Sequence, residues 1–260
     1  MSKVKDPPVD RGAPARPTVV SFWRTLAAGA VGGGLVGLLI GGVLGRLLMG
    51  LLTVTSPSHL RGRLTDDIQP VGQISFGGTL NFFVTTIALG AIAGLVYLWV
   101  RRVLPPSRRA RAGLFALFTG NIGGAFLVHD HPSFDYSALQ PEWLAVLSFV
   151  AIPTLFGLLA PTFIDRLEAP SGWARRGPVW LGVGLGVAAL NLGLVVVAVP
   201  VAVAFGISRS EAAMRLWQSD AVTVAGRVLF VVMVAWGVYG ITADVISIAT
   251  NRPSTWPFHP

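Results

Sequence analysis

The stretch Thr25–Leu52 reads TLAAGAVGGGLVGLLIGGVLGRLLMGLL. It is apolar along nearly its whole length, with a single charge, Arg46. Its length exceeds the roughly 20 residues that cross a bilayer as helix. Gly29, Gly33, Gly37, Gly41 and Gly45 recur in it at every fourth position. Small residues at that spacing form one smooth face, against which a second helix backbone can pack at close range. The partner of such a face is either another helix of the same chain or a second protein. Weaker versions of the pattern occur at Gly90 and Gly94, and at Ala112, Ala116, Gly120 and Gly124.

The rest of the chain repeats the theme. Of its 260 residues, 53% are hydrophobic and 12% charged, about half the charged share of an ordinary soluble domain. Mean hydropathy is +0.66. Six apolar segments are read as spans: Thr25–Leu52, Thr79–Val100, Ala112–Val128, Trp143–Ile164, Val179–Phe205 and Ala221–Thr250. The expected fold is an all-α membrane bundle of six helices over 25–250. A disordered, proline-rich cytoplasmic tail precedes it (1–24) and a short cytoplasmic tail follows it (251–260). The third span is short and carries Gly120, Asn121, Gly123 and Gly124, so a re-entrant hairpin is the alternative there.

Charge orients the expected bundle. Segments read as inner hold Lys3, Lys5, Arg11, Arg16 and Arg24, then Arg101, Arg102, Arg108, Arg109 and Arg111, then Arg166, Arg175, Arg176 and Arg252. Segments read as outer hold Arg61, Arg63, Arg209 and Arg215. That asymmetry is the positive-inside bias, and it places both termini in the cytoplasm. The basic balance is thereby explained by anionic lipid, without nucleic acid. Trp23, Trp99, Trp143, Trp173, Trp180, Trp217 and Trp256 fall at or just beyond span ends, with only Trp236 inside a span. This is the expected interfacial belt. Ser208 and Glu211 have capping-box spacing, so a short helix is expected in the outer loop Ser208–Ser219.

Two charges stand inside the last span, Arg227 and Asp244. Seventeen residues of helix separate them by about 25 Å, too far to pair. Arg227 reads as an outer-edge anchor, and Arg46 also falls near the outer edge. Asp244 is expected near the inner edge, at the depth of Arg101, Arg102 and Arg166. Its carboxylate calls for a partner there, as a structural ion pair or as a proton- or cation-handling site. Asn121 and Asn191 are buried amides in spans 3 and 5, expected to bond between helices. Pro153 and Pro161 in span 4 are expected to kink it. Broken helices beside buried amides are how many carriers build substrate sites.

The absences are informative. The chain has no cysteine, hence no disulfide and no thiolate metal site. No histidine falls within a span, which argues against membrane haem and a serine–histidine hydrolase. No HExxH, P-loop or dinucleotide fingerprint occurs. Asp244 is the one carboxylate within the six spans as drawn. His129, Asp130, His131 and Asp135 cluster in one outer loop, but irregular two-residue spacing fixes no metal geometry. No metal, cofactor or catalytic residue is expected.

The loop Ser56–Leu80, SPSHLRGRLTDDIQPVGQISFGGTL, and the following Leu95–Arg109, LVYLWVRRVLPPSRR, resemble the corresponding segments of multi-pass membrane proteins of GC-rich actinobacteria. The resemblance implies a bacterial plasma-membrane location and brings no activity with it. The expected function is a non-catalytic packing or accessory subunit that associates through its glycine-rich faces, with a membrane partner or a second copy. A small carrier or channel using Asp244, Asn121 and Asn191 is the alternative, and an intramembrane enzyme the third.

Overall fold

The glycine row of the first span finds its partner within the chain. In the computed structural model, α1 (Val19–Val36) passes through a π-helical stretch (Gly37–Leu44) into α2 (Gly45–Thr55) without a break. The next helix, α3 (Phe76–Val100), starts at Ser75, whose hydroxyl accepts from the Gly78 amide at 3.0 Å. It returns antiparallel along α1. A β-carbon built on Gly33 would lie 2.8 Å from the Gly94 Cα, and one on Gly37 would lie 2.8 Å from the Gly90 Cα. From the other side, a β-carbon on Gly90 would meet the Gly37 Cα at 2.7 Å. Backbone therefore rests on backbone, and the close approach requires glycine on both helices.

The π-helical stretch explains how a period of four stays on one face. An α-helix has 3.6 residues per turn, so glycines four apart drift by about 40° at each step. The i→i+5 bonding of a π-helix takes more than four residues per turn and turns the row back. Gly41 accordingly still faces Thr86 of α3, and a β-carbon built on Gly45 would lie 3.3 Å from the Phe82 ring.

The structure describes residues 19–58, 62, 75–127, 141–169, 172, 203, 206, 210–217 and 219–250. The expected fifth span, Val179–Phe205, lies outside them almost entirely, as do Asn191 and the His129–Asp135 loop. The other helices are α4 (Arg108–Leu127), α5 (Glu142–Glu168), the short α6 (Glu211–Trp217) and α7 (Asp220–Thr250). All described elements are helical. Among the described residues, four helices are long and apolar enough to cross a membrane: Val20–Thr55, Phe76–Val100, Trp143–Glu168 and Asp220–Ser247. Their outward faces carry exposed Leu47, Val54, Leu89, Leu229 and Val231, as a lipid-facing surface requires.

The glycine and asparagine cluster of the third span does not break it. α4 is one continuous helix, antiparallel to α5. Its small residues seat that contact: a β-carbon on Gly123 would meet Pro153 at 2.7 Å, and one on Gly157 would meet the Ala116 Cα at 2.7 Å. The Thr119 hydroxyl donates across to the Pro153 carbonyl at 2.7 Å. α5 remains a single helix through Pro153 and Pro161. An aromatic ladder ties three helices together, from Tyr97 to Phe115 (5.1 Å), Phe118 (6.1 Å) and Phe230 of α7 (5.3 Å).

α7 corrects the expected topology. Its contacts with α4 climb in step: Phe118 on Phe230, Asn121 on Gly237, Gly124 on Ile241. The two helices therefore run parallel. A strict alternation of six spans would have α7 start at the end opposite to Arg101. Instead its first turns lie beside the α3–α4 turn, where Gly226 abuts Val103 and the Arg227 side chain donates to the Val103 carbonyl at 3.2 Å. The chain enters α7 at the end where it left α5, and Thr250 lies at the end opposite to Val19. The first and last described helical residues thus lie at opposite ends of the bundle; apart from 19–24, the two tails expected in the cytoplasm lie outside the described residues.

Candidate functional site

The described helices gather most of their charges at one end. α1 brings Arg24, the α3–α4 turn brings Arg101 and Arg102, and α4 begins with Arg108, Arg109 and Arg111. α5 contributes Asp165, Arg166 and Glu168 because it runs past Ile164 to Glu168. The expected span stopped one residue short of Asp165, so Asp244 is not the one carboxylate on a spanning helix. α6 and the start of α7 complete this end.

Here the charges pair. Arg111 Nη1 lies 3.3 Å from Asp165 Oδ2, with about a fifth of each side chain exposed. The hydroxyl of Tyr97, a fully buried residue, donates to Asp165 Oδ1 at 3.1 Å. Arg101 Nη1 makes a salt bridge to Glu168 Oε2. The C-terminal ends of α3 and α5 and the start of α4 are thus tied together. Partly desolvated, charge-assisted bonds are stronger than exposed ones. Arg111 also donates to the Pro106 carbonyl at 3.1 Å, pinning the α3–α4 turn.

Beside this lattice is an open cleft of about 640 Å³, lined by Leu98, Trp99, Arg101, Arg102, Pro106, Arg108, Arg111, Asp165, Glu168, Ala169 and Trp217. The Arg102 guanidinium stands 5.2 Å from the centre of the Trp217 ring, which packs edge-on against Trp99 at 6.1 Å. The expected short helix before the last span is present as α6, but Trp217 places it at this arginine-rich end, not at the far one.

The residues singled out from the sequence are scattered. Arg227 is at the arginine-rich end, the reverse of its expected position. Asp244 is about 25 Å further along the same helix, away from Arg101, Arg102 and Arg166, and is 1% exposed. It shares the α4-facing side of α7 with Gly237, two turns earlier. Asn121 donates to the Leu117 carbonyl of its own helix at 2.7 Å, a local bond in place of the expected interhelical one. Arg46 is at the far end, 4.9 Å from the Phe82 ring centre. Gly29, Gly33 and Gly37 are occupied by α3. Among the described residues, no group of three histidines or carboxylates could hold a metal.

Sequence reasoning missed Tyr97, Arg111, Asp165 and Glu168 as a unit. The spacing of Asp165 and Glu168, three apart at the end of an apolar helix, was the available signal. Such residues share a helix face, turned here toward the arginines of the preceding turn. No protein-family model, curated protein or solved structure matches the chain.

Proposed function

We propose that the protein is a non-catalytic, multi-pass accessory subunit of the bacterial plasma membrane, with its arginine-rich end in the cytosol. The sidedness rests on the positive-inside bias, now applied to the observed clustering of arginine at one end. In this reading α4 also crosses, its first turn held at the interface by Arg108, Arg109 and Arg111. The start of α7 is cytosolic, and Thr250 faces outward.

The observation that carries the structural role is the commitment of Arg101, Arg111, Asp165, Glu168 and Tyr97 to one another. These groups fasten helix ends together. The glycine row acts in the same sense: it joins α1 to α3, so association with a partner uses other faces. α7 offers the least enclosed one, with 6% of its apolar window buried against 22–28% in the other spanning helices. Mild-detergent extraction from the native membrane, followed by identification of co-purifying proteins, tests this reading. A stoichiometric membrane partner or a defined homo-oligomer supports it, and an isolated monomer in native membrane refutes it.

A carrier is the second reading, favoured by the burial of Asp244 and Ser247 on one spanning helix. Buried carboxylates within spans mark ion and proton pathways. It predicts that Asp244→Asn abolishes proton or cation flux in liposomes while the protein stays folded. Unchanged flux removes it.

A further inference from the structure

We propose that the cleft at the arginine-rich end binds the headgroup of an anionic phospholipid, with Arg102 and Arg108 meeting its phosphate. The charge arrangement carries this. Arg101 and Arg111 are each matched by a carboxylate, Glu168 and Asp165. Arg102 and Arg108 line the same cleft and have no carboxylate partner among the described residues. The cleft therefore holds a net positive charge concentrated on two guanidiniums. Guanidinium groups match phosphate oxygens in geometry as well as charge.

Three further features fit a lipid better than a free ion. The cleft, open and about 640 Å³ in volume, is far roomier than one phosphate needs. Its wall includes Leu98 and Trp99 of a spanning helix, where tryptophan sits at headgroup depth. Trp217 holds Arg102 from one side by a cation–π contact, which fixes the guanidinium before any ligand arrives. The start of α4 adds amides directed out of its first turn, the first satisfied one being Arg111 N–H to the Ser107 carbonyl; their dipole favours negative charge. Basic pockets between spanning helices at the membrane surface are where anionic headgroups bind.

The test is native mass spectrometry of the full chain in detergent, titrated with phosphatidylglycerol and with phosphatidylcholine. The measurement is blind to sidedness, so its failure leaves the proposed orientation untouched. The wild type retains phosphatidylglycerol in preference to phosphatidylcholine. Each of Arg102→Gln and Arg108→Gln weakens retention by about 5-fold, as expected for one interfacial charge. Arg109→Gln, one position from Arg108 but outside the cleft lining, leaves retention unchanged. The Arg102→Lys/Arg108→Lys double variant, which keeps both charges but not the guanidinium fork, retains more phosphatidylglycerol than the Arg102→Gln/Arg108→Gln double variant. Equal retention of the two lipids by the wild type overturns the proposal. So does an Arg109→Gln loss as large as that of Arg108→Gln, which would mean diffuse surface attraction. Displacement of the lipid by millimolar inorganic phosphate would make the ligand a free phosphate and overturn the lipid assignment.

Discussion

Gly33→Ala puts one methyl group into a contact where the backbones of two helices meet. Its β-carbon would stand 2.8 Å from the Gly94 Cα and closer still to the Gly90 carbonyl oxygen. Carbon atoms pack best at about 3.5–4.0 Å, so α1 and α3 must part by about 1 Å. Both neighbours are backbone, and neither can swing aside. A gap of that size forfeits a quarter to a half of the attraction at each contact along the seam. Overpacking of this kind destabilises by about 1–3 kcal/mol. The gain from alanine over glycine within a helix offsets roughly 0.5–1 kcal/mol of that. Gly50→Ala is the matched control: it is helical, and a β-carbon there meets nothing within 4 Å. It should leave stability unchanged or raise it by about 0.5 kcal/mol. Reversible unfolding in mixed micelles should separate the two variants by about 2 kcal/mol. Equal stabilities would mean that the α1–α3 seam does not exist as described.

The absence of cysteine allows direct mapping of sides. Single cysteines at Ser107 and Ala212, both exposed, should react with an impermeant thiol reagent from the same side of the membrane, and a cysteine at Thr250 from the other. Labelling of Ser107 and Ala212 from opposite sides would restore strict alternation and refute the placement of α7. A double-mutant cycle on Arg111→Gln and Asp165→Asn should show a coupling of about 1–2 kcal/mol; additivity would mean the pair is a surface contact of no consequence. Tyr97→Phe should destabilise by roughly 1 kcal/mol, and the loss should vanish when Asp165 is already alanine, which offers the hydroxyl no acceptor.

What the sequence made legible follows from how local each signal is. Helical class, the four long apolar helices and the glycine register all rest on short-range periodicity, and the glycine row is used where its spacing suggested. The partner of that row is a long-range fact, and Gly90 with Gly94 was only a weak pointer to it. The ion lattice was hidden by treating charge as the end of a span. Asp165 and Glu168 belong to the last turn of α5 and fold back on the arginines of a different turn. The position of α7 was misjudged for another reason. Positive-inside counting assigns sides only when each apolar segment crosses once, and α5 and α7 meet at one end whatever lies between them. Arg227 and Asp244 exchanged ends as a direct result.

The π-helical stretch also sets the phase of everything that follows it. Removing one residue between Gly37 and Leu44 would let that segment relax to ordinary α-helical winding. The helix beyond would then shift in phase by roughly 45°, seven α-helical steps replacing eight smaller π-helical ones, carrying Arg46 off the Phe82 ring and turning a different set of side chains toward lipid. The surplus residue works as a fixed angular offset between the two halves of one long rod. Length variation in this part of the chain would consequently be tolerated far less than in the loops.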